Sequence, residues 1–190
     1  MSSNRQKSFI ATLELDNDHV ELLGNLHDGP ILRTDSLYSG GSFTGRTQRI
    51  DDAHLLGICP PQESAAIAPL TLYFRCTDDY YTLYIRSENG HHGKCISRDS
   101  FGALGAFPAA GRDTSSFCIL NPDNRIITLD DMRGDIHRVR LMADNAGQIG
   151  GVFRRGAPFT YLADTKGNGL VFKLRITQRN APYLSDPDEI

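Results

Sequence analysis

Short runs of branched and aromatic residues, each cut by a turn signal, cover the chain from Phe9 to Ile176. FIATLEL (9–15) and HVELL (19–23) flank Asp16-Asn17-Asp18, and LTLYFRC (70–76) and YYTLYIR (80–86) flank Thr77-Asp78-Asp79. FCIL (117–120) meets RIITL (125–129) across Asn121-Pro122-Asp123-Asn124, and PFTYLAD (158–164) meets LVFKLRI (170–176) across Lys166-Gly167-Asn168-Gly169. Each pair reads as two strands about a turn. No window holds a helical period for long, and the longest candidate, 51–58, is too short. The pattern predicts an all-β chain with loops at 44–68, where Pro60-Pro61 bars a central strand, and around 154–169.

Between these strands one stretch recurs. DGPILRTDSLYSGGSF (28–43), HGKCISRDSFGALGAF (92–107) and RVRLMADNAGQIGGVF (138–153) align without a gap. Their shared columns are Leu32, Ile96 and Met142; Asp35, Asp99 and Asn145; Gly41, Gly105 and Gly151; and Phe43, Phe107 and Phe153. A repeat of this kind organises a fold into like units. Here it implies three units of about four strands, about twelve in all, with one surplus strand ahead of the first core.

Three such units, each with a glycine-led apolar pair, an Asp or Asn, a glycine-rich turn and an aromatic, resemble the β-trefoil superfamily over about residues 19–176. The segment GKCISRDSFGALGAF carries the best match. The resemblance implies pseudo-threefold symmetry, with Leu32, Ile96 and Met142 in one core layer and the three phenylalanines in another. It implies one domain at 9–176, divided at about 9–68, 69–121 and 122–176, between a flexible N-terminus (1–8) and a loose acidic tail (177–190). The ricin-type sugar-binding branch carries Gln-x-Trp in each repeat, and this chain has no tryptophan. Trefoils also serve as protease inhibitors, toxin receptor-binding modules, actin bundlers and growth factors, so fold alone does not choose a function.

At 190 residues the chain is long enough to bury a core without staples. Twenty Lys and Arg against 23 Asp and Glu give a net charge of −3, with no basic block to attract a nucleic acid. No apolar run approaches a membrane span, and the N-terminus lacks a Sec-type signal, so a soluble protein is expected, cytoplasmic or exported by another route. Cys59, Cys76, Cys95 and Cys118 show no metal spacing, and the last three lie in apolar strand patterns where a thiol serves as a small hydrophobe.

Candidate chemistry is thin. His91-His92 beside Cys95, with Asp99 and His137, offers the parts of a cysteine enzyme, but Cys95 shares the column of Ile31 and Leu141 and is expected to be buried. The same histidines point apart on a strand or loop and make a poor metal site. Arg133-Gly134-Asp135 reads as a tight turn, and the acid pairs at Asp51-Asp52, Asp78-Asp79 and Asp130-Asp131 as solvated strand ends. Asp35, Asp99 and Asn145 recur near turns; such side chains cap their own turns or accept hydrogen bonds from sugar hydroxyls, with Tyr38 and Phe101 adding apolar faces.

The expectation is a non-catalytic binding module without cofactor or metal. Its first form is a lectin-like trefoil that takes a glycan or glycoprotein at Asp35, Tyr38, Asp99, Phe101 and Asn145. The alternative is a protein-binding trefoil, such as a protease inhibitor or toxin receptor-binding module, using loops 44–68 or 154–169. A cysteine enzyme built on Cys95 comes third.

Overall fold

The computed structural model describes residues 2–60, 67–109 and 114–182. A helical turn α1 (Asn4–Lys7) precedes β1 (Phe9–Glu14) and β2 (His19–Leu22), and a second turn α2 (Leu23–Leu26) leads to β3 (Leu32–Ser39), β4 (Ser42–Asp51) and β5 (Leu56–Cys59). Then come β6 (Leu70–Thr77), β7 (Tyr80–Ile85), β8 (Cys95–Arg98), β9 (Leu104–Phe107), β10 (Phe117–Leu120) and β11 (Ile126–Ile127). The last four are β12 (Ile136–Ala143), β13 (Gln148–Phe153), β14 (Thr160–Thr165) and β15 (Phe172–Gln178). The all-β expectation is met, and every pairing among these strands is antiparallel.

Six strands close on themselves. β1 pairs with β6, β6 with β7, β7 with β10, β10 with β12, β12 with β15, and β15 returns to β1. Closure leaves this ring no free edge. Alternation along β1 sends Phe9, Ala11 and Leu13 inward, where Phe9 stacks on Phe74 at 4.6 Å and meets Tyr81 edge-on at 5.6 Å. One end of the ring is closed by a 3-10 turn at Leu129–Asp131, whose Leu129 N–H donates to the Tyr81 hydroxyl at 3.1 Å.

Three hairpins occupy another part of the fold: β2 with β5, β8 with β9, and β13 with β14. Each contributes buried apolar residues to the same core, among them Val20 and Leu56, Ile96 and Leu104, Ile149 and Leu162. They also meet one another by one repeated rule. Leu55 bridges Gly105, Ala103 bridges Ala163, and Tyr161 pairs with Gly57, so a residue of each hairpin meets its neighbour two positions further along the matching strand. The contact demands small residues: a Cβ on Gly105 would lie 2.7 Å from Leu55 Cδ2 and 2.9 Å from the His54 carbonyl oxygen.

β3 and β4 form a separate two-stranded arm inserted between β2 and β5. From Thr44 to Arg49 β4 holds no apolar side chain that could make a buried face, and Ser42–Arg49 are exposed throughout. An isolated two-stranded ribbon is marginal in water. The arm is anchored at its root, where Ile31 is 2% and Arg33 8% exposed. Much of the stretch expected as a loop at 44–68 is thus strand: 44–51 belong to β4 and 56–59 to β5, while 61–66 lie outside the described residues. The 154–169 stretch likewise contains β14.

The outermost described segments are tied in. α1, in the segment expected to be flexible, carries a capping box of Ser3 with Gln6. Residues 177–182, expected as tail, continue β15 to Gln178 and then pack: Ala181 is 1% exposed, its N–H donates to the Ser8 carbonyl at 2.9 Å, and Tyr73 donates its hydroxyl to the Pro182 carbonyl at 2.8 Å. That return covers the outer face of β6, which is why Tyr73 breaks the strand's alternation and is buried. Residues 183–190 lie outside the described residues.

Candidate functional site

The turn joining β8 to β9 is built by Asp99. Its Oδ1 accepts from the N–H groups of Phe101 (2.8 Å) and Ala103 (2.9 Å). Gly102 completes the turn at φ +83°, a conformation L side chains disfavour, and a Cβ there would stand 1.9 Å from Asp164 Oδ1 and force that carboxylate to move. This geometry pushes the Phe101 ring outward, 74% exposed.

Around Phe101 runs a chain of charged and aromatic groups. Asp99 Oδ2 accepts from Arg154 Nη2 at 2.6 Å. The Arg154 guanidinium lies 5.6 Å over the Phe101 ring and 5.0 Å over that of Tyr161. Tyr161 donates its hydroxyl to Asp52 Oδ2 at 2.8 Å, and burial with that bond pushes its ionisation well above the usual phenol range. Asp52 Oδ2 also accepts from Arg33 Nε at 2.9 Å, and Arg33 Nη1 pairs with Asp35 at 3.1 Å. The second and third hairpins and the root of the arm are thereby linked through polar contacts.

Two cavities open on either side of Phe101. The larger, about 710 Å³, lies between the β8–β9 turn, the segment Thr114–Ser116 and the β12–β13 turn at Asp144-Asn145, with Asp164 in its wall. Arg98 holds Asp164 at 2.9 Å, and the Arg98 N–H donates to the Ser115 hydroxyl at 3.0 Å. Its neighbour, about 430 Å³, shares Phe101 and Asp164 and is lined further by Arg33, Asp35, Val152, Phe153, Arg154, Arg155 and Ala163. No protein-family model, curated protein or solved structure matches this chain.

Four of the five residues singled out from sequence therefore line this double cavity: Asp99, Phe101 and Asn145 the larger part, Asp35 and Phe101 the smaller. Tyr38 does not. It stands near the tip of the arm, 64% exposed, with the Phe43 ring 5.9 Å away. The aligned columns do not occupy like positions. Asp35 lies within β3 opposite Gln48, Asp99 opens a turn, and Asn145 is inside one at φ +54°. Leu32 is 46% exposed while Ile96 is fully buried, and Phe43 and Phe153 are exposed while Phe107 is half-buried, so neither column forms one core layer.

Asp99 has little left to offer a ligand, since both oxygens are engaged; it shapes the turn, as an Asx side chain commonly does. Asp144, Asp164, Arg98 and Arg154 were missed from sequence. A dipeptide, Leu56-Gly57, Leu104-Gly105 and Leu162-Ala163, marks the matching strands of the three hairpins, and Asp164 follows the third, but no local signal picks out the four residues themselves.

The other sequence candidates lie apart from this site. Cys95 is fully buried, its sulfur 3.4 Å from the Ser97 hydroxyl and 3.6 Å from the Pro108 carbonyl. His91 Nδ1 lies 3.2 Å from Lys94 Nζ, and burial followed by the Lys94 charge lowers its pKa. His137 Nε2 meets the Gly134 carbonyl at 2.9 Å, beside the exposed Arg133-Gly134-Asp135 turn. All four cysteines are buried, as expected. Among the described residues no three His, Cys, Asp or Glu side chains gather to hold a metal ion, and no helix is long and apolar enough to cross a membrane.

Proposed function

We propose that this chain is a β-trefoil module that binds a glycan in the cavity beside Phe101. Support for the trefoil reading comes from the closed ring of six strands, the three hairpins feeding one core, and the bridge rule repeated from hairpin to hairpin. On this reading the units run β1–β2–β5–β6, β7–β8–β9–β10 and β12–β13–β14–β15, with the arm as an insertion in the first.

The single observation that carries the glycan reading is an exposed aromatic ring at the rim of a hydroxyl- and carboxylate-lined cavity. Sugars present an apolar face of C–H groups and an edge of hydroxyls; a ring such as Phe101 meets the first, and polar side chains the second. Asp144, Asn145, Asp164 and the Ser116 hydroxyl accept or donate to sugar hydroxyls. Phe101 stacks, Asp99 and Gly102 hold the turn that presents it, and no reacting group is required.

The test is a glycan array probed with the labelled protein and with Phe101→Ala and Asp144→Ala. Specific binding by the parent, reduced roughly tenfold or more in each variant, is the expected result, since one stacking or charged hydrogen-bond contact contributes on that order. Binding that survives both substitutions places the glycan elsewhere; an empty array overturns the reading.

A protein-binding trefoil is the second reading, and the arm is what favours it. Exposed along β4 and tipped by Tyr38 and Phe43, it has the reach of a contact loop carried on a rigid scaffold. Its mark is a partner lost on Tyr38→Ser with Phe43→Ser while array binding persists.

A further inference from the structure

The two cavities that share Phe101 carry opposite charge. In the larger, three carboxylates, Asp99, Asp144 and Asp164, face one guanidinium, Arg98. In the smaller, the guanidiniums of Arg33, Arg154 and Arg155 face only Asp35 and Asp164. Two of those three arginines are already committed, Arg33 to Asp52 and Asp35, and Arg154 to Asp99. Arg155 is different: it is exposed on the turn after β13 and forms no ion pair among the described residues.

The apolar part of the smaller cavity lies close by. Phe153, two residues before Arg155, is 78% exposed, and Val152 and Ala163 line the same cavity with it and Phe101. An uncommitted guanidinium next to exposed aromatic rings suits a group that is anionic at one edge and apolar on one face. The carboxylate-rich side of Phe101 repels the same group, because like charges at close range in a partly desolvated cavity raise the free energy. A ligand lying across Phe101 is therefore sorted end from end by charge.

We infer that the ligand is an acidic oligosaccharide, its neutral residue in the larger cavity and its anionic residue on the Arg155 side of Phe101. This deepens the glycan reading and rests on it. The anionic group is a carboxylate, as in a uronic acid, or a sulfate ester; a guanidinium binds both through paired N–H groups.

The experiment compares a neutral oligosaccharide with the same backbone ending in a uronate, and with a sulfated version, by titration calorimetry at low and high salt. The parent is expected to bind at least one acidic form roughly tenfold more tightly than the neutral one at low salt, with the gap narrowing as salt rises. Arg155→Gln, on an exposed turn, is expected to bring the acidic ligand down to the affinity of the neutral one. Which acidic form gains identifies the anion. Equal affinity of the parent for all three ligands overturns this inference and leaves the glycan reading standing, as does a preference that Arg155→Gln leaves intact. Failure of every ligand to bind overturns both.

Discussion

The hydroxyl of Tyr161 and the carboxylate of Asp52 meet at 2.8 Å inside the protein, 109 residues apart in sequence, and join the third hairpin to the root of the arm. The same Asp52 oxygen neutralises Arg33, whose side chain is 10% exposed. Removing the carboxylate leaves this buried guanidinium with the half-buried Asp35 as its remaining counter-charge. Asp52→Asn is expected to cost about 3–5 kcal/mol in urea unfolding, the usual range when one partner of a buried pair is lost. Tyr161→Phe, which removes a single hydrogen bond, is expected to cost about 1–2 kcal/mol. Equal small losses from both would mean that Asp35 alone satisfies Arg33.

Gly102 is held at φ +83° with Asp164 pressed against it. Gly102→Ala adds a methyl group that forces the Asp164 carboxylate to move, in a conformation that L-residues disfavour. A loss of about 1–3 kcal/mol in stability is expected from the backbone strain alone. Because the turn carries Phe101, ligand affinity falls with it. A variant as stable as the parent in thermal melts would show that the turn relaxes freely.

Glu21 is 3% exposed, and burial raises its pKa, only partly offset by the Leu22 N–H and the Asn25 amide. A carboxyl whose folded pKa exceeds its unfolded one binds its proton more tightly when folded. Its contribution is therefore fully present below the unfolded pKa and is lost as pH rises through the folded one. Glu21→Gln keeps an acceptor oxygen for both donors and removes the charge. The variant is expected to be more stable than the parent at neutral pH, with the gap closing on acidification toward pH ~4. A gap independent of pH would rule out titration of Glu21 as its source.

Cys59, Cys76, Cys95 and Cys118 are all buried, and burial further pushes the thiols of Cys76 and Cys118 above their usual range. Thiolate is the reactive form. Native protein is expected to resist alkylation at all four positions, and urea-unfolded protein to take up four labels by intact-mass measurement. Fast labelling at one site under native conditions would reveal local opening there.

Much of the ring was legible in the sequence because its strands announce themselves through turns. Asp78 (φ +57°) and Asn124 (φ +62°) adopt the left-handed conformation their residue types tolerate, and the strands beside them fall where the apolar runs are. The arm was not legible as strand. Its pairing rests on backbone hydrogen bonds between polar residues with no buried face, so β4 leaves no alternation to read. The insertion also misled the alignment: Asp35 shares a column with Asp99 only if β3 is set against a turn. The dipeptides Leu56-Gly57, Leu104-Gly105 and Leu162-Ala163 report on tertiary contact instead, because small residues are needed where the hairpins meet. Phe101 was found because an aromatic beside a turn-capping acid stands out; Asp164 was not, because nothing local distinguishes it from an ordinary strand residue.

β1 pairs with β15, from Ile10 against Gln178 to Glu14 against Lys173. During synthesis the hairpins can form as they leave the ribosome, yet β1 must wait for almost the whole chain before its second neighbour exists. Until then one edge of β1 offers unpaired backbone groups to any strand nearby. Ring closure is thus a long-range step, and folding is expected to be slower than for a fold of local contacts, as refolding kinetics would show.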